Sequence, residues 1–207
     1  MQSLRDKYVE NTRQTLLDTA AQLFAEREYA DLSAEELVRA AGLTRGALYH
    51  HFDGKKGLFE AVVDRLEQAA AQRIREAVDS STDPLERVQR GVEAFLDVCI
   101  EPVYRHVVLL QGPIALGWRR WRELDQQHLN GLIVEAARDL HDAGLITAHP
   151  PELVASAFYG SLTDMSLTIA ESGDVERGRA QAAALARALL DGLVMTRTSG
   201  PETAVKG

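Results

Sequence analysis

Apolar residues recur at three- and four-residue spacing along most of the chain, and no stretch shows the strict apolar–polar alternation of a half-buried strand. The spacing predicts a first helix over about 12–27, marked by Leu16, Leu17, Ala20, Ala21 and Phe24. Start and stop residues then predict further helices over 33–41, from 44, and over 55–78, 84–100, 104–110, 118–143, 151–171 and 174–195. About nine helices without a strand predict an all-α protein.

Composition places the chain among ordinary globular proteins. Of its 207 residues 45% are hydrophobic, and its formal net charge is −8. The N-terminus lacks the apolar core of a signal peptide, and the longest purely aliphatic run covers only 107–110, so we expect no membrane segment and a cytoplasmic protein. The single cysteine, Cys99, cannot form an internal disulfide. It is either a small buried side chain or a redox sensor.

Two short predicted helices, 33–41 and 44–52, have the length and separation of a helix-turn-helix. Ser33 and Glu36 match the S-x-x-E capping box that begins the first helix, and Gly42 provides its stop. Thr44 is the expected N-cap of the second helix. The spacing alone fits an ordinary helical hairpin as well as a DNA-binding one.

The side chains of the second helix favour DNA. On a helical wheel Leu48 and Phe52 point together toward a core, while the outward side carries Gly46, Ala47, Tyr49 and His50, with Arg45 near the boundary. A solvated helix face usually carries Glu, Lys and Gln. Small residues beside a phenol, an imidazole and a guanidinium fit close approach to phosphates and base edges instead.

Lys55 and Lys56 follow where the next helix begins, although the helix dipole disfavours cations at that end. Two lysines beside free backbone N–H groups form an anion site, and DNA phosphate is the expected anion. The alternative is a solvated pair of charges at a helix whose start lies elsewhere.

Residues 12–63 read TRQTLLDTAAQLFAEREYADLSAEELVRAAGLTRGALYHHFDGKKGLFEAVV, and this stretch resembles the DNA-binding domain of TetR-family transcriptional regulators. The resemblance implies an N-terminal three-helix DNA-binding domain joined by a fourth helix to a helical effector-binding and dimerisation domain. It places Thr44, Arg45, Ala47, Tyr49 and His50 on the recognition helix and makes Lys55 a backbone-contacting lysine. Ala47 departs from the usual Thr or Ser. The full predicted DNA-binding set is Ser33, Thr44, Arg45, Gly46, Ala47, Tyr49, His50, Lys55 and Lys56.

We therefore expect a DNA-binding domain over 1–58, an effector domain over 59–197 and a loose tail over 198–207. Residues 1–58 carry 8 Lys and Arg against 9 Asp and Glu, whereas residues 59–207 carry 15 against 22. The acidity thus belongs to the effector half, and the net charge does not exclude DNA as a partner.

The resemblance implies a homodimer formed through the last two helices, with a ligand that changes the angle of the fourth helix and so the separation of two DNA-reading heads. The predicted dimer faces carry Ala155, Phe158, Leu162, Met165 and Ile169, then Ala184, Leu185, Ala188, Leu189 and Gly192. The predicted pocket for a small hydrophobic ligand is lined by Phe95, Cys99, Tyr104, Leu110, Trp118, Trp121, Phe158 and Leu162. The sequence also admits a helical DNA-binding regulator that is controlled by a protein partner or that has no small-molecule ligand.

Other classes of function are disfavoured. The stretch 117–122 alternates arginine with tryptophan, but nearby acids favour a helix that packs both tryptophans inward and pairs its arginines locally. The six histidines show no metal-ligand spacing, and no phosphate-binding or nucleophile motif is present, so we expect neither an enzyme nor a metal or cofactor.

Overall fold

The computed structural model of the protein describes residues 4–195, and within that range it contains helices and no strand, which confirms the all-α fold class. A 3₁₀ turn, Tyr29–Asp31, and a π-helical segment, Arg105–Gln111, interrupt the α-helices. The α-helices are α1 (Leu4–Glu26), α2 (Ala34–Ala40), α3 (Arg45–Phe52), α4 (Lys55–Asp79), α5 (Pro84–Ile100), α6 (Pro102–Tyr104), α7 (Gly112–Leu116), α8 (Trp118–Asp142), α9 (Pro151–Glu171) and α10 (Val175–Met195). The tail predicted over 198–207 lies outside the described residues.

Most predicted boundaries fall within one or two residues of the observed ones, and α5 and α9 match at both ends. Helix α1 begins eight residues earlier than predicted. Asp6, Lys7, Val9 and Glu10 in its first turns are exposed, so these residues give no buried stripe from which periodicity could be recognised. The helix predicted over 104–110 is instead a π-helical segment between α6 and α7, with wider i→i+5 turns that apolar spacing does not distinguish.

The chain divides into two compact units by its internal packing. The first contains residues 1–70 and 101–128, and the second contains residues 71–100 and 129–207. In the first unit the ring of Phe24 meets that of Phe59 edge to face at 4.9 Å, and Leu16, Leu37 and Leu48 are buried. These units are defined by packing alone, and the predicted domain boundary between residues 58 and 59 stays a prediction.

In the second unit α5, α9 and α10 pack against one another. Of the α9 residues that were predicted to meet a second subunit, Ala155, Leu162 and Ile169 are buried within the chain, whereas Phe158 and Met165 are half-buried. The prediction is wrong for the three buried residues, since an apolar stripe is equally able to pack inside its own chain, and it stays a prediction for the other two. The α10 face is different: Leu185 is 51% exposed and Leu189 39%.

No helix between residues 4 and 195 is both long and apolar enough to cross a membrane.

Candidate nucleic-acid interface

The helix-turn-helix is fixed by the two caps that the sequence predicts. The Ser33 hydroxyl oxygen accepts the Glu36 backbone N–H at 3.1 Å, and the Glu36 carboxylate accepts the Ser33 backbone N–H at 2.8 Å. The Thr44 hydroxyl oxygen accepts the Ala47 N–H at 3.2 Å and begins α3. Both caps are confirmed, and they set the direction in which α3 leaves the turn.

Helix α3 turns one face inward and one outward, as the helical wheel predicts. Leu48 and Phe52 are buried, while the Tyr49 side chain is 49% exposed. Arg45, Gly46 and His50 are also exposed, and Ala47 is half-buried. The orientation is confirmed, whereas contacts of these residues with DNA stay a prediction.

Arg45 is held by two neighbours. Its guanidinium donates to Glu35 Oε1 at 2.6 Å and to the Tyr49 hydroxyl at 3.4 Å, and it lies over the Tyr49 ring. The hydrogen bond to Tyr49 and the charge of Glu35 both raise the pKa of Arg45. Both partners are solvent-exposed, so the ion pair is weak and can be exchanged for a phosphate or a base edge.

The Tyr49 ring rests on the tight loop between α3 and α4. Asp53 has a left-handed backbone with φ of 54°, and Gly54 has φ of 92°. A Cβ at Gly54 would come within 3.2 Å of Tyr49 Cε1, so only glycine combines this backbone with this ring position. The loop therefore positions the phenol on the exposed face of α3.

Lys55 has a structural role that the sequence did not predict. Its ammonium donates to the carbonyl oxygens of Tyr29 at 2.7 Å and Leu32 at 2.6 Å, and it lies 4.0 Å from the centre of the Tyr29 ring. Burial lowers the pKa of Lys55, against the opposing charges of Asp31 and Glu36. The neighbouring Lys56 is exposed and points to solvent.

Ser33 is likewise committed within the protein. Besides accepting the Glu36 N–H, its hydroxyl donates to Glu36 Oε2 at 2.8 Å. The hydrogen bonds from Ser33 contribute most, and the one from Arg27 contributes less, to lowering the pKa of Glu36 to about 2. In the free protein Ser33 thus caps α2. The exposed residues of α3, together with Lys56, are the predicted DNA-binding residues that remain accessible.

The predicted ligand residues divide between the two units. Tyr104, Leu110, Trp118 and Trp121 lie in the first unit, and Phe95, Cys99, Phe158 and Leu162 lie in the second. The prediction that both tryptophans pack inward is half wrong: Trp121 is buried, but Trp118, the first residue of α8, is 54% exposed. The local arginine pairs are confirmed, for example Arg119 with Glu123 at 3.5 Å.

The structure also reveals a residue that sequence reasoning missed. The buried Gln111 side chain donates to the Phe24 carbonyl oxygen at 3.1 Å and accepts the backbone N–H of Tyr29. It thereby joins the end of the π-helical segment to the end of α1 and the turn that follows. Its signal in the sequence was a single polar side chain directly after the apolar run 107–110.

Two protein families match the chain in succession. Residues 16–62 match the family described as bacterial regulatory proteins, tetR family, and residues 85–193 match the tetracyclin repressor-like C-terminal domain. The second match alone spans more than half of the chain.

Individual relatives agree with this assignment. The chain is 34% identical over 103 residues to the HTH-type transcriptional repressor KstR2 of Mycobacterium tuberculosis, covering 50% of this chain and 51% of that protein. It is 34% identical over 85 residues to the HTH-type transcriptional activator FasR of Mycolicibacterium smegmatis, covering 41% of this chain and 39% of that protein. These matches thus span about half, or less, of each relative's length.

A solved structure extends the similarity to nearly the whole chain. A TetR-family transcriptional regulator from Pectobacterium atrosepticum has 35% sequence identity and a TM-score of 0.80, covering 93% of this chain and 98% of that one. The chain therefore belongs to the TetR family of bacterial regulatory proteins.

Proposed function

We propose that the protein is a cytoplasmic transcriptional repressor that binds a pseudo-palindromic DNA operator as a homodimer and is released by a small hydrophobic ligand held in its predicted effector domain, residues 59–197. The observation that carries the DNA-binding part is the capped helix α3, which buries Leu48 and Phe52 and exposes Arg45, Tyr49 and His50. A recognition helix of this kind reads base edges in the major groove, and a dimer reads two half-sites about one helical turn apart.

The experiment is a footprint of the variant that combines Tyr49→Ala with His50→Ala. Both side chains lie on the exposed face, so the variant should fold and dimerise but lose protection of the operator. Arg119→Ala, which removes an exposed arginine from α8, is the matched control and should footprint like the wild type. An unchanged footprint with the double variant would show that α3 is not the reading helix.

The dimer is supported by the apolar face that α10 leaves exposed. Leu185 and Leu189 stand on this face among small residues, Ala184, Ala188 and Gly192, which permit close helix approach across a two-fold axis. Leu185→Glu with Leu189→Glu should convert the dimer to a monomer in sedimentation velocity. Ile114→Glu places a charge at a strongly exposed apolar residue of α7 and should leave the dimer intact. A dimer that survives the double variant contradicts this interface.

Ligand control is supported by Gln111, because its bonds to Phe24 and Tyr29 connect residues 101–128 with the DNA-binding helices. A ligand releases DNA only if it binds the released conformation more tightly than the DNA-bound one.

We propose repression rather than activation because the relative KstR2 is named a repressor, although the relative FasR is named an activator. A reporter placed downstream of an operator that the protein has selected from random DNA sequences distinguishes repression from activation: expression should fall when the protein is present.

A further inference from the structure

A cluster of polar side chains lies inside the first compact unit, where α4, α6 and α8 each contribute a residue. Glu67 of α4 is fully buried. Its Oε2 accepts the hydroxyl of Tyr104 at 3.0 Å, and its Oε1 has no hydrogen-bond partner in the described part of the chain. A buried carboxyl with an unpaired oxygen is costly, so its presence requires an explanation beyond packing.

The surroundings of Glu67 are predominantly acidic. Asp125 of α8 is buried and lies 3.6 Å from an Arg122 nitrogen, and Asp64 lies one turn before Glu67, with its Oδ1 2.8 Å from His128 Nε2. Burial first, and then the charge of Asp125, hold the pKa of Glu67 well above its usual value, against the bond from Tyr104. The cluster therefore favours a positive charge or a proton at Glu67.

A second unpaired polar atom lies on α8 in the same compact unit. The indole Nε1 of the buried Trp121 has no hydrogen-bond partner within residues 4–195. Trp121 precedes Asp125 by four residues, so both lie on one face of α8. The ring is fixed against the backbone of Gly112, where an added Cβ would lie 2.6 Å from its Cδ1. The first unit thus contains a buried acceptor, Glu67 Oε1, and a buried donor, Trp121 Nε1, that have no partner among the described residues.

We propose that Glu67, Tyr104, Asp125 and Trp121, which all belong to the first compact unit, form a site that binds a small organic cation, an aromatic or alkyl ammonium. The ammonium donates to Glu67 Oε1, and the proton that Glu67 loses passes to solvent. The rings of Tyr104 and Trp121 provide the faces that attract organic cations. This assignment rests on the proposed function for its regulatory meaning, but binding itself can be measured without DNA.

The position of Tyr104 gives such a ligand a route to the DNA-binding helices. Tyr104 ends α6, the π-helical segment follows it directly, and Gln111 at the end of that segment binds the backbone at Phe24 and Tyr29. A ligand that draws the carboxylate of Glu67 away from the Tyr104 hydroxyl removes the hydrogen bond that holds Tyr104, the residue directly before the π-helical segment.

The test uses the full chain and two matched sets of probes: benzylammonium, benzyl alcohol and benzoate, and protonated tryptamine, tryptophol and indole-3-acetate. Calorimetry and thermal shift should detect a cation of at least one set binding at least tenfold more tightly than its neutral and anionic counterparts. Titration in two buffers of different ionisation enthalpy should show proton release with the cation only. Equal binding within both sets, or cation binding without proton release, overturns the proposal.

Glu67→Gln should abolish the preference for the cation, and Glu76→Gln, which changes an exposed carboxylate further along α4, should retain it. Retention by folded Glu67→Gln, as judged by circular dichroism, also overturns the proposal. Because proton release is measured on the wild type, a variant that fails to fold does not remove the test. If the cation binds at Glu67 but does not change the affinity for the operator, the binding site is confirmed and ligand-controlled release is refuted.

Discussion

Replacing Lys55 tests whether this lysine is a structural brace or a phosphate contact. Lys55→Met keeps most of the aliphatic length and removes the ammonium, which donates to the carbonyl oxygens of Tyr29 and Leu32. Lys56→Met makes the same change at the next position, where the side chain is exposed. The two variants therefore differ in the surroundings of the lost charge and in little else.

The structure gives the size of the expected effect. Hydrogen bonds to a charged group contribute about 1.5–3 kcal/mol each, and Lys55 is only half-buried, so the lower value applies. Two such bonds then contribute about 3 kcal/mol. For a chain of this length, that loss lowers Tm by about 6–12 °C. Lys56→Met should change stability by less than about 0.5 kcal/mol, because an exposed side chain without buried contacts is lost.

The second assay is the salt dependence of operator binding. Each phosphate contact contributes about 0.9 to the slope of log Kobs against log salt concentration. Lys56→Met should lower the slope by about this amount per protomer, and Lys55→Met by much less, because two of its three N–H groups already donate within the protein. The sequence predicts both Lys55 and Lys56 as phosphate contacts, and the family resemblance singles out Lys55.

The reasoning is refuted if Lys55→Met melts at the wild-type temperature and lowers the salt slope as far as Lys56→Met does. The ammonium would then leave Tyr29 and Leu32 freely and act on phosphate. A large fall in Tm with an unchanged slope supports the brace. Loss of operator binding by Lys55→Met would in that case reflect a displaced turn before α2.

Three further changes test the packing and the caps. Gly57→Ala places a Cβ 1.5 Å from the carbonyl oxygen of Phe52, so the α3–α4 junction must move, and chemical denaturation should show a loss above about 3 kcal/mol. Gly112→Ala meets the Trp121 ring and should cost about 1–3 kcal/mol, with a change in indole fluorescence; wild-type values would contradict the close contact. The bonds that lower the pKa of Glu36 to about 2 stabilise α2 above pH 4.5, and this contribution disappears as pH falls toward 2. Glu36→Ala should therefore reduce stability at pH 7 and have little effect near pH 2, whereas equal losses at both pH values would contradict it.

Local features of the fold could be predicted from the sequence. The caps at Ser33 and Thr44 involve partners three residues away, so the residue pattern contains both members of each bond. The inward direction of Leu48 and Phe52 follows from helical periodicity in the same way. These predictions were confirmed because a single turn of helix determines them.

Contacts between distant residues could not be predicted. Gln111 binds Tyr29 across 82 positions, and Tyr104 binds Glu67 across 37. Either polar residue fits an exposed helix position as well as a buried one, since spacing does not show which helices pack together. The same limit explains α9, where the apolar stripe through Ala155, Leu162 and Ile169 was assigned to a second subunit and instead packs within the chain.

Lys55 and Gln111 act on the same short turn from different parts of the chain. Lys55 binds the carbonyl oxygens of Tyr29 and Leu32, and Gln111 binds the N–H of Tyr29. The next residue after Leu32 is Ser33, the cap of α2. A shift of Gln111 relative to Lys55 therefore acts directly on the residues that lead into α2. Because a hydrogen bond is lost once donor and acceptor are about 3.6 Å apart, a movement of about 1 Å is enough to break one of these bonds.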